Sequence, residues 1–185
     1  MQKKRVERTL QQYDEIMAQC RELFVKKTQD YGTSWRILRP SSLTDQLYIK
    51  AKRIRSIEEK GEQKIDDSVD GEYIALVNYS LMALIQLSLP KDAPLEMDVA
   101  TVGELYDQHF DNTRELMIRK NHDYGEVWRE MRISSITDLI LSKLLRIKQI
   151  EDNQGKTLVS EGVQGNYHDI INYAIFALIQ IEEQK

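Results

Sequence analysis

Apolar residues in the first part of the chain fall at three- and four-residue steps: Val6, Leu10, Tyr13, Ile16, Met17, Cys20, Leu23 and Phe24 make one stripe, with charged residues between them. That spacing predicts an amphipathic helix with one face on a core. Val102, Leu105, Tyr106, Phe110, Leu116 and Met117 repeat the stripe in the other half of the chain. Gly32 and Gly125 follow the two stripes and predict a left-handed helix cap or the turn just after one. A second helix is predicted from 42 to about 59 and from 135 to about 151. Its start is read from Ser42 or Ser135, whose hydroxyl can accept a backbone N–H while Asp45 or Asp138 reciprocates. The most apolar runs, 74–89 and 170–181, predict a third helix at the centre of each half, starting near 72 and 166. Both runs are shorter than the roughly 20 residues that span a bilayer. Asn78, Gln86, Asn172 and Gln180 interrupt them, so they read as core helices with no membrane partner. No stretch alternates with a strand's period of two, and the predicted fold class is all-α.

The two halves are copies of each other. Lys27-x-x-Asp30-Tyr31-Gly32-x-x-Trp35 recurs as Lys120-x-x-Asp123-Tyr124-Gly125-x-x-Trp128, Lys50-x-x-Arg53 as Lys143-x-x-Arg146, Asn78-Tyr79 as Asn172-Tyr173, and Ala83-Leu84-Ile85-Gln86 as Ala177-Leu178-Ile179-Gln180. Shared helix propensity does not produce such matches, whereas duplication of a whole unit does. Pro90 and Pro94 mark the joint. The chain therefore divides into a first repeat (1–89), a linker (90–98) and a second repeat (99–185), each of three helices. Three helices bury little surface alone, so the repeats are expected to pack as one pseudo-twofold bundle, like a fused homodimer. A further homodimer of the whole chain stays open.

Composition narrows the partners. With 26 Lys and Arg against 30 Asp and Glu, the formal charge of −4 lacks the basic footprint of a nucleic-acid or anionic-membrane binder. Direct DNA binding is disfavoured. Cys20 is the one cysteine, which excludes an internal disulfide and a Cys-rich zinc site. The N-terminal residues run straight into a charged amphipathic pattern without the apolar stretch of a signal peptide, and a cytoplasmic location is expected.

Candidate chemistry lies in the duplicated polar positions. Lys27 and Lys120 can meet a phosphate as point charges. Asp30, Tyr31, Gly32 and Trp35, with Tyr124, Gly125 and Trp128, can shape an aromatic pocket for a base. The same residues have an architectural reading, in which glycine caps a helix, tryptophan fills the core and the Lys–Asp pair is a surface ion pair. Lys50 and Arg53, and Lys143 and Arg146, each share one helix face and suit an anion, although a solvated basic edge looks the same. Acids collect after the second helix: Glu58, Glu59, Glu62, Asp66, Asp67, Asp70 and Glu72 in the first copy, Glu151, Asp152, Glu161 and Asp169 in the second. Such acids suit Mg²⁺ or simply solvate a loop. The copies differ here, since Ala75 stands opposite Asp169 and Asn166 opposite Glu72. His168, beside Asp169, is a candidate acid–base group.

Taken together, these motifs resemble the nucleotide-modification-associated domain 1 family, over nearly the whole chain. The resemblance implies a small helical protein linked to nucleotide or DNA-base modification. Its polar signature falls on Lys27, Asp30, Tyr31, Gly32, Lys50, Arg53, Asp67 and Asn78, and on Lys120, Asp123, Tyr124, Gly125, Lys143, Arg146, Glu161, Asp169 and Asn172. A more distant likeness joins the chain to the all-α nucleoside triphosphate pyrophosphohydrolases of the MazG type. Glu58-Glu59-x-x-Glu62 matches the first part of their metal motif, and the second part is missing. The expectation is a protein that binds a nucleotide or another small phosphorylated ligand, in the form of a Mg²⁺-dependent pyrophosphohydrolase. Asp123, Glu161 and Asp169 are its expected catalytic carboxylates, and Glu58, Asp67, Asp70, Glu151, Glu161 and Asp169 its metal ligands. The competing expectation is a non-catalytic helical interaction module whose duplicated polar residues form a buried network.

Overall fold

A computed structural model describes residues 2–62, 64–65 and 68–185. Among the described residues the regular structure is helical: α1 (Gln2–Tyr31), α2 (Pro40–Lys60), α3 (Val69–Ser88), α4 (Val99–Tyr124), α5 (Ile133–Asp152) and α6 (Val163–Glu183). Short 3-10 turns at Ser34–Ile37 and Val127–Glu130 lead from the first helix of each half to the second.

Helix boundaries follow local chemistry, and some differ from the pattern read in the sequence. The second helices start before Ser42 and Ser135, with Arg39 and Arg132 as N-caps that make no side-chain cap bond. Pro40 occupies the first turn of α2, where a missing N–H loses no helical bond. Both serines thus lie inside helices. The third helices also begin about one turn early. Ser68 caps α3, its Oγ accepting from the Gly71 N–H at 3.1 Å. Gly32 (φ 69°) and Gly125 (φ 65°) stand just past α1 and α4 in the left-handed region. Gly32 has a second constraint, because a Cβ there would collide with the Glu96 carboxylate. The linker is pinned at that point: Thr33 Oγ1 donates to the Leu95 carbonyl at 2.7 Å and accepts from Met97 N–H at 3.0 Å.

At the centre, α3 packs against α6 and α2 against α5, so elements meet their own counterparts as a pseudo-twofold axis requires. α6 is apolar nearly all round, with Ile170, Ile171, Ala174, Ile175 and Ala177 fully buried, as befits a helix enclosed on every side. α1 also touches α6, and α4 touches α3, which interleaves the halves. Polar bonds cross the axis in matched pairs. Tyr13 donates to Asn172 Oδ1 at 2.7 Å and Tyr106 to Asn78 Oδ1 at 2.8 Å. Arg21 forks onto Asp107 and Arg114 onto Asp14. Thr44 meets the Tyr167 hydroxyl at 2.6 Å and Thr137 that of Tyr73 at 2.8 Å. No helix among the described residues is long and apolar enough to cross a membrane.

Candidate functional site

The second half carries an open cleft whose floor is Asp169. This α6 carboxylate is 7% exposed and is held from two sides, by Lys120 from the end of α4 at 2.5 Å and by Lys143 from α5 at 2.8 Å. A buried carboxylate needs such partners, because leaving it unpaired would cost several kcal/mol, on the order of 3–5. The three-residue step from Lys143 puts Arg146 on the same face of α5. Arg146 is exposed onto the cleft and has no ion-pair partner among the described residues. The connection from α5 to α6 closes the far wall and adds Lys156 and Glu161. The resulting space is about 850 Å³, with four cations against two carboxylates on its walls.

A second lobe of about 280 Å³ adjoins it and is lined by Tyr124, Trp128, Tyr173 and Phe176. Lys120, Lys143 and Asp169 line both lobes, so the cationic space and the aromatic space meet at the buried carboxylate. Trp128 is stacked on Phe176 at 4.2 Å and 3°, with the Arg129 guanidinium 4.3 Å from its centroid. Two groups that close must lie on opposite faces, so the fold itself uses both faces of this indole. Its buried N–H has no hydrogen-bond partner. Tyr124, 71% exposed, and the half-buried Tyr173 leave ring surface for a guest.

The first half repeats the elements with its charges rearranged. Ala75 occupies the place of Asp169, and the buried acid is Glu72, one helical turn earlier and so displaced about 4.5 Å along the helix. Glu72 takes Arg53 at 2.5 Å and Lys50 at 3.4 Å. Its counterpart in α6 is Asn166, a neutral residue whose amide donates to the Gly162 carbonyl. The acid on the third helix thus neutralises the second-helix pair in one half, and the Lys120–Lys143 pair in the other. Lys27 is left exposed without an ion-pair partner among the described residues. The aromatic lobe is reduced to about 70 Å³, bounded by Tyr31, Trp35, Tyr79 and Met82 beside Lys27 and Gly32.

Other residues singled out from the sequence have protein partners or lie away from the lobes. Asn78 and Asn172 reach the walls of the two aromatic lobes, but they are buried, donate to the Cys20 and Thr113 carbonyls and accept from a tyrosine of the other half, which makes them braces of the bundle. Glu58 accepts from Thr137, and Glu151 from Thr44, both at the contact between halves. Burial raises both carboxyls above their ordinary value. Asp30 and Asp123 are exposed and line neither lobe, Asp123 lying 3.1 Å from His122. Asp70 pairs with Lys185 at 2.7 Å, while Asp67 lies outside the described residues. His168 turns to Thr113 Oγ1 at 2.7 Å, and burial lowers its pKa. Burial likewise pushes the Cys20 thiol up to about 12. Among the described residues no three His, Cys, Asp or Glu side chains gather closely enough to hold a metal ion. Lys156 was not singled out from the sequence, and the compensating role of Glu72 was missed. The signal for Glu72 was the double exchange Glu72/Ala75 against Asn166/Asp169 between aligned copies.

The family model described as nucleotide modification associated domain 1 matches residues 27–87 and, a second time, residues 120–181. Each match thus starts at the lysine of the Lys-x-x-Asp-Tyr-Gly motif. No curated protein and no solved structure matches the chain.

Proposed function

Because the chain belongs to the nucleotide modification associated domain 1 family, we propose that its second half binds a nucleotide, with the phosphates in the cationic lobe and the base in the aromatic one. One observation carries this reading: the two lobes share Lys120, Lys143 and Asp169 as a common wall, so a single ligand can fill both. Arg146 and Lys156 offer cations not already committed to a protein carboxylate, and a guanidinium can fork onto two phosphate oxygens. Tyr124 and Tyr173 supply faces for stacking. The Trp128 N–H, buried without a partner as that of Trp35 is, offers a donor to a base carbonyl.

Among the described residues the carboxylates expected to hold Mg²⁺ do not gather at one point. Each Asp169 oxygen already receives a lysine ammonium, Glu58, Glu151 and Asp70 are engaged away from the cleft, and Glu161 alone lines it without an ion-pair partner among the described residues. What remains of the expected pyrophosphohydrolase is the phosphate site. The interaction-module reading accounts for a different set of residues, the Asn, Tyr and Thr braces between helices.

Calorimetric titration tests the proposal, with nucleoside triphosphates, nucleosides and inorganic triphosphate each run in EDTA and in Mg²⁺. Triphosphates are expected to bind in EDTA, and nucleosides more weakly. Arg146→Gln weakens binding about tenfold to a hundredfold, the value of one charge-assisted hydrogen bond, without moving the melting temperature. Absence of heat and of thermal stabilisation with every nucleotide would overturn the reading.

A further inference from the structure

We propose that the chain holds one ligand, in its second half, because Glu72 occupies the anion position of the first half as a built-in substitute for the ligand's phosphate. This rests on the nucleotide reading above and specifies its stoichiometry. Glu72 is 4% exposed and lies against Lys50 and Arg53, the duplicated cation pair of the second helix. The Arg53 guanidinium meets Glu72 Oε1 as it would meet one phosphate oxygen, while Oε2 lies 3.4 Å from the Lys50 ammonium. An incoming anion would have to displace a buried charge that then has nowhere to go, which is a large penalty. In the second half Asn166 stands at that position with no charge to offer, and the acid three residues on, Asp169, is directed to Lys120 and Lys143. Arg146 is left facing the cleft.

The base lobes change in the same direction. The first is about 70 Å³, with Met82 where the second, of about 280 Å³, has Phe176. Among the described residues the first half keeps a smaller cationic hollow of about 430 Å³ beside Arg53, Lys60 and Lys64, but the Glu72 carboxylate already lies against Arg53 there, so of the two helical frames the second is the receptive one. Position 72 in α3, and its counterpart 166 in α6, decides which half is receptive.

The chain has two tryptophans, Trp35 and Trp128, one on the wall of each lobe. Their two indole N–H resonances in a ¹⁵N-labelled sample, assigned with Trp35→Phe, report each half separately. Titration with a nucleoside triphosphate is expected to shift the Trp128 resonance, leave that of Trp35 in place and saturate at one ligand per chain by calorimetry. Asn166→Glu, which copies the first-half arrangement, is expected to fold as wild type and lose at least tenfold in affinity. Asn166→Gln, of matching size and neutral, keeps binding. Shifts at both indoles with two ligands per chain would leave nucleotide binding standing and overturn the single-site assignment. A shift at Trp35 alone would overturn the assignment and the location of the site. No shift and no heat would overturn the nucleotide reading, and this inference with it. Unchanged affinity in Asn166→Glu would refute the role given to Glu72.

Discussion

Tyr13→Phe removes one oxygen from the middle of the bundle, and the structure says what that oxygen does. Tyr13 is fully buried, and its hydroxyl donates to Asn172 Oδ1 at 2.7 Å, joining α1 of one half to α6 of the other. Asn172 is 5% exposed and spends its amide N–H on the Thr113 carbonyl at 3.3 Å. With the hydroxyl gone, Oδ1 is a buried acceptor facing a ring edge, which costs about 1–3 kcal/mol. For a chain of this length each kcal/mol moves the melting temperature by about 2–4 °C, so the central expectation is a fall of about 4–8 °C by scanning calorimetry. The interleaving of α1 with α6 and α4 with α3 further requires that both halves melt in one transition. Tyr173→Phe is the control, since that hydroxyl has no partner among the described residues and its loss is expected to move the midpoint by less than about 2 °C. A Tyr13→Phe protein melting within 1 °C of wild type would refute the brace, and two separate transitions would refute the interleaved core.

Other outcomes follow from the same structure. Glu58 and Glu151 have pKa values raised chiefly by burial, so the folded state holds protons that the unfolded state releases just above the ordinary carboxyl value of 4.5. Stability from these groups is therefore present at low pH and falls as pH rises through the folded pKa values. Glu58→Gln should flatten the part of the melting-temperature curve that lies above pH 4.5, and a curve parallel to wild type there would contradict the burial. At Gly125 a Cβ would meet nothing, so alanine suffers only the left-handed strain of about 1–2 kcal/mol. Gly32→Ala also makes the Glu96 carboxylate swing aside and give up the Thr33 N–H it accepts at 3.3 Å, so it should lower the melting temperature further by the worth of that one bond. Equal effects at the two glycines would mean that the linker does not bear on Gly32.

Much of the architecture was legible in the sequence because periodicity and duplication both survive folding unchanged. The stripe from Tyr13 to Phe24, the paired glycines and the two central apolar runs all became the elements their spacing implied. Helix starts were less legible: Ser42 and Ser135 look like caps, yet Pro40 and the extended backbone of Arg39 and Arg132 set the boundary earlier. The site was legible as a set of residue types and not as a constellation. Lys143, Arg146 and Asp169 converge, but sequence spacing has no means of separating their role from that of Asn78 and Asn172, which recur as faithfully, line the aromatic lobes and also brace the core. The acids divide in a similar way, Asp169 and Glu161 reaching the cleft and Glu58 and Glu151 not, since proximity along a loop says nothing of which helix face each carboxylate reaches. Glu58 and Glu151 sit one helix face away from the cleft cations and bond to threonines of the opposite half.

The most direct measurement of the central claim is a crystal structure of the protein grown with a saturating nucleoside triphosphate. The account predicts phosphate density against Lys143, Arg146 and Lys156, and a base resting beside Tyr124 and Tyr173 within reach of the Trp128 N–H. A nucleotide bound anywhere else on the chain, or a cleft that stays free of ligand at saturation, would contradict it.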